Sequence, residues 1–98
     1  MTEAEVETEL VRAIEHVQRE SRSDCPPVDG STRPIGDLEG FDSLNGVEAG
    51  AQVADHLGLQ MPDNPFVDER GRCLTVKAAA QRILAANKTP AKMSGGAK

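Results

Sequence analysis

Apolar residues return at steps of three and four in three stretches of the chain, the period of one face of an α-helix. Val6, Leu10, Ala13, Ile14 and Val17 make the first stripe, in a helix expected to run to about residue 20. Thr2 and Glu5 stand at its start as the N-cap and N3 residues of a capping box. Its early turns hold Glu3, Glu5, Glu7 and Glu9, and Arg12, Arg19 and Arg22 come later, a polarity that complements the helix dipole. Leu44, Val47, Ala51 and Ala54 make the second stripe, with Ala51 and Ala54 expected to face the core beyond Val47 and Gly50 beside them. Asp42 and Ser43 sit where its N-cap belongs, and Gly58 offers a stop with Leu59 placed to fold back. The third stripe is Val76, Ala79, Ala80 and Ile83, opened by Thr75 and ending near residue 86.

Between these helices the punctuation is proline and glycine. Residues 21–41 contain Pro26-Pro27, Asp29-Gly30 and Arg33-Pro34 and form a long connection, with room for a short helical turn at 35–39. Pro62 and Pro65 start a turn after the second helix. Residues 66–69 are then expected to make a single helical turn ended by Gly71. Residues 1–87 are read as one domain. Residues 88–98 lack a hydrophobic period and are read as a disordered basic tail.

Composition narrows the class. Phe41 and Phe66 are the only aromatic residues in 98, too few for the alternating aromatic and β-branched runs of a sandwich or barrel. A small all-α bundle suits the Ala, Leu, Val and Ile content. The net charge is −5, yet residues 1–87 hold 8 basic and 16 acidic groups. So acidic a body disfavours nucleic acid and favours basic protein surfaces. No apolar run is long enough for a bilayer and no signal-peptide pattern is visible, so a cytoplasmic place without membrane attachment is expected. Cys25 and Cys73 are expected as thiols rather than a disulfide. No pairing of His16, His56 and the cysteines has metal-ligand spacing, so no metal is expected. A serine hydrolase is disfavoured: the Gly-x-Ser-x-Gly elbow is absent and neither histidine is placed as a base for Ser43.

Asp42-Ser43-Leu44 before a helix, followed by Val47-Glu48, resembles the attachment motif of the acyl carrier protein family. The likeness continues in Asp37-Leu38 upstream, in the run from Leu57 to Pro62 and in Leu74-Thr75-Val76, and spans roughly residues 3 to 86. The resemblance implies a four-helix acyl-carrier-type bundle with a long loop between its first two helices and a short irregular third helix. Val28, Ile35 and Leu38 would be the apolar anchors of that loop. It implies a carrier rather than an enzyme, with 4′-phosphopantetheine joined to Ser43 through a phosphodiester and acyl groups held on it as thioesters. Fatty acid or polyketide biosynthesis is the usual setting of such a carrier. Asp42 would be the cap, a positioning group for the modifying enzyme, or both. The expected partners of this monomer are a phosphopantetheinyl transferase and acyl-loading ligases or synthases.

In that family the second helix is the recognition element. Leu44 and Val47 would then supply apolar contact, and Glu48 and Asp55 either a charged docking ridge or plain solvated surface. Ala51, Ala54, Phe66 and Ile83 are candidates to line a chamber for the acyl chain. The chain departs from the family where many relatives carry acids: it has Asn45, Gly46, Ala49, Gly50 and Ala51, which points to a specialised partner set. Gly46 and Gly50 each cost about 1 kcal/mol in a helix relative to Ala; they would either permit close helix packing or let a partner or the attached arm lie close to the backbone. A carrier of aminoacyl or peptidyl groups is the alternative within the family. Outside it, the alternative is an unmodified helical interaction module in which Ser43 is only a cap.

Overall fold

Thr2 and Glu5 begin the fold as a reciprocal pair: Thr2 Oγ1 accepts the Glu5 N–H at 3.2 Å and Glu5 Oε1 accepts the Thr2 N–H at 2.7 Å. The computed structural model describes residues 2–21 and 25–88; the expected tail, Lys88 excepted, lies outside the described residues. Helix α1 spans Glu3–Ser21 and buries its whole predicted stripe, from Val6 to Val17. Gln18 is buried beside that stripe. Its amide would be costly there unpaired, and Nε2 donates to the Glu39 carbonyl at 2.8 Å.

The long connection is pinned by three apolar side chains. Leu38 is buried, and Val28 and Ile35 pack against the core from its edge. One helical turn, α2 (Pro34–Asp37), interrupts it, with Ile35 and Gly36 departing from helical dihedrals inside the turn. Asp37 Oδ2 accepts the Arg33 N–H at 2.8 Å and closes that turn. Helix α3 spans Ser43–Leu57. Gly58, at φ +69°, ends it by donating to the Ala54 carbonyl at 2.8 Å. Helix α4 spans Val76–Lys88, with Val76, Ala79, Ala80 and Ile83 fully buried and Thr75 Oγ1 accepting the Ala78 N–H. Two carbonyls of the first connection serve the same helix end: Thr32 O accepts from Val76 N and Gly30 O from Lys77 N, both at 2.9 Å. Helix α1 packs against both α3 and α4, so the core lies between the three.

The fold is all-α, with four helical elements among the described residues, but two expectations need correction. Helix α3 turns a different face inward. Gly46, Ala49, Gly50 and Val53 are buried, whereas Leu44 is 74% exposed, Val47 43% exposed, Ala51 exposed and Ala54 only half-buried. Both stripes repeat at helical spacing. The small one wins because residues 64 and 65 lie directly against it: a Cβ on Gly50 would come within 2.8 Å of Pro65 Cδ.

The second correction concerns residues 66–69, which make no helical turn. The segment is a small hairpin instead, closed by an isolated antiparallel bridge between Val67 and Cys73 and by Leu74 N donating to Phe66 O at 2.8 Å. Asp68 organises its tip, accepting the backbone N–H groups of Arg70 and Arg72, each at 2.9 Å, and Arg72 Nε at 3.0 Å. Those bonds, the Arg72 N–H first, hold the Asp68 carboxyl below its ordinary value against an opposing effect of burial. Gly71 takes the positive φ, +80°, that the turn requires and that a continuing helix forbids.

Candidate functional site

The opening of α3 is built by Asp42. Its backbone is extended, its side chain accepts the Asn45 N–H at 3.1 Å, and Asn45 Oδ1 accepts the Asp42 N–H at 3.0 Å. Asp42 is therefore the N-cap, and Ser43 is the first helical residue with an exposed side chain. The N–H groups of Ser43 and Leu44 have no intrahelical acceptor, as in any first helical turn. A phosphate group on Ser43 would meet them at the positive end of the helix. Because the cap belongs to Asp42, replacing it should be the costlier change. Asp42→Ala is expected to lose about 1 kcal/mol in chemical denaturation and Ser43→Ala clearly less.

Phe41, immediately before the cap, is buried and meets Phe66 edge-on, with ring centroids 6.2 Å apart at 82°. Asn64 also reaches the start of the helix. Its Nδ2 donates to the Ser43 carbonyl at 3.0 Å, and its Oδ1 accepts the Phe66 N–H at 3.0 Å. Arg82 of α4 holds the same segment, Nη1 donating to the carbonyls of Asn64, at 3.2 Å, and Val67, while Nη2 pairs with Glu69 at 3.6 Å. Neither Asn64 nor Arg82 is conspicuous in the sequence. Asn64 reads there only as a turn residue before Pro65, and Arg82 as one more charge on a helix.

Leu44, Val47, Glu48, Ala51 and Asp55 lie together on the exposed side of α3. The first two are the large hydrophobic residues that the described surface leaves exposed. Asp55 also borders an open groove between α1 and α3, lined by Glu9, Arg12, His16, Gln52 and His56. The two histidines, distant in sequence, thus share one groove. His16 Nδ1 lies 3.3 Å from Gln52 Oε1, and His56 Nε2 lies 3.6 Å from Glu9 Oε1. Of the four chamber candidates, Phe66 and Ile83 are fully buried, Ala54 is half-buried and Ala51 faces solvent, so they do not line one chamber.

The chain matches no protein-family profile, no curated protein and no solved structure. Among the described residues, no group of three or more His, Cys, Asp or Glu side chains is placed to hold a metal ion, and no helix is long and apolar enough to cross a membrane. Cys25 and Cys73 are not joined in a disulfide.

Proposed function

We propose that this protein is a carrier of acyl groups, bearing 4′-phosphopantetheine on Ser43 and handing its cargo to separate enzymes. One observation carries the reading: an exposed serine opens α3 directly behind an independent cap, beside a patch formed by Leu44 and Val47. With Asp42 and Asn45 capping each other, Ser43 Oγ is not required as the cap and can take a substituent. When bound, the arm supplies a terminal thiol on which an acyl group is held as a thioester. Ser43 would acquire it by attack of Oγ on the phosphorus of a nucleotide-linked donor, with a base on the transferase taking the hydroxyl proton and the nucleotide leaving. Glu48 and Asp55, exposed beside Leu44 and Val47, would meet basic groups on the transferase and loading enzymes. The chain's own groups do no chemistry on the cargo in this reading.

The exposed apolar pair also favours a second reading, an interaction module whose Ser43 stays unmodified. Intact mass after incubation with a broad-specificity phosphopantetheinyl transferase separates the two. The wild type is expected to gain one arm and Ser43→Ala none, with the far-UV spectrum of the variant unchanged. No gain by the wild type, or a gain that persists in Ser43→Ala, would overturn the assignment.

A further inference from the structure

Residues 64–66 run as a strap along the buried face of α3, from the Ser43 carbonyl towards the core. Asn64 sits on Gly46, where a Cβ would fall 2.7 Å from its Oδ1. Pro65 sits on Gly50, where a Cβ would fall 2.8 Å from its Cδ. Both distances are shorter than the roughly 3.5–4.0 Å of carbon contacts, so the seam between strap and helix does not admit even one methylene. Pro65 and Phe66 are fully buried beyond it. The strap is fastened at each end: Asn64 Nδ2 to Ser43 O, Asn64 Oδ1 to Phe66 N, and Arg82 Nη1 to the carbonyls of Asn64 and Val67.

We infer that Asn64 is a specificity-determining residue that locks this seam, so that a group attached at Ser43 stays outside the helical core and the cargo is a short acyl group rather than a long alkyl chain. The inference rests on Ser43 being the attachment point. The shortest way from Ser43 into the core along α3 leads under Asn64 and Pro65. A long chain entering there must detach the strap from Ser43 and from Arg82 together. A chain that stays outside exposes its alkyl carbons to water, a cost that rises with each methylene, and short cargo avoids it.

The test attaches a chain at position 43 without any transferase. In a Cys25→Ser, Cys73→Ser, Ser43→Cys protein, the single thiol is converted to a methyl or an octyl mixed disulfide with the alkyl methanethiosulfonate, which releases methanesulfinate. Amide shifts between the methyl and octyl forms are expected to stay within residues 42–47. With Asn64→Ala added, the octyl form is expected to shift Phe66, Val67 and Ile83 as well. Hydrogen exchange at the Phe66 amide of the unmodified full-length chain should also be about tenfold faster in Asn64→Ala, with α1 amides unchanged. Should Asn64→Ala not fold, Arg82→Gln loosens the same strap from α4 and is read in the same way. Octyl shifts at Phe66 and Ile83 of equal size with and without Asn64→Ala would overturn the lock, as would unchanged exchange at Phe66. If the transferase leaves Ser43 unmodified, the carrier reading falls, and the chemically attached chain still decides whether the seam is locked.

Discussion

Phe66→Ala is expected to destabilise the domain by about 3–5 kcal/mol, the range for truncating a buried phenylalanine. That is a large part of the roughly 5–15 kcal/mol that holds a small domain folded. Phe66 is fully buried, it is one of only two aromatic residues, and its ring makes a T-shaped pair with Phe41 next to the α3 cap. Its backbone is also engaged on both sides, N–H to Asn64 Oδ1 and carbonyl to Leu74 N. The cavity would therefore open between the cap and the hairpin, and neighbours pinned by these bonds can collapse only partly into it. With no Trp or Tyr in the chain, urea unfolding is best followed by far-UV circular dichroism. A loss below about 1 kcal/mol would show that Phe66 is not a keystone of this core.

Gly50→Ala sets two effects against each other. Helix propensity alone favours Ala by about 1 kcal/mol. The new Cβ, however, would lie 2.8 Å from Pro65 Cδ and 2.9 Å from Pro65 Cγ, atoms of a rigid and fully buried ring. Forcing that contact costs about 1–3 kcal/mol by the usual effect of overpacking, so a net loss of about 1 kcal/mol is expected. Ala51→Leu, one position along on the exposed face, should change stability by less than about 0.5 kcal/mol. A Gly50→Ala variant more stable than the wild type would mean that Pro65 is not seated on the helix.

Where burial follows large side chains, the sequence was a sufficient guide. The stripes of α1 and α4 are buried as their periodicity predicts: Val, Leu and Ile dominate the first, and Val76 and Ile83 flank the two alanines of the second. The capping residues Thr2, Asp42 and Thr75 and the stop at Gly58 were legible for the same reason: each does locally what its chemistry prefers. Helix α3 misleads because its two faces share one period, and hydropathy ranks Leu44 and Val47 above Gly46 and Gly50. The two glycines carry a partial clue, since a costly residue in a helix suits a close neighbour, whether another part of the fold, a partner or an attached group. Which neighbour was beyond reach, because residue 64 comes to residue 46 only through the tertiary fold. The hairpin at 66–74 is not legible in the sequence because the Asp68 carboxylate and Gly71 organise a turn over a spacing that also suits one turn of helix.

The two carbonyls that receive the first N–H groups of α4 have a kinetic consequence. Helix α4 is short, and isolated helices of its length are marginal in water because their first turn is costly to nucleate. Its nucleating end is completed by Gly30 and Thr32, reached across roughly 45 residues of intervening chain. The closing of that large ring, rather than any step within α4, would set when the last helix becomes firm. Synthesis delivers α4 after the first connection, whose two carbonyls complete its start.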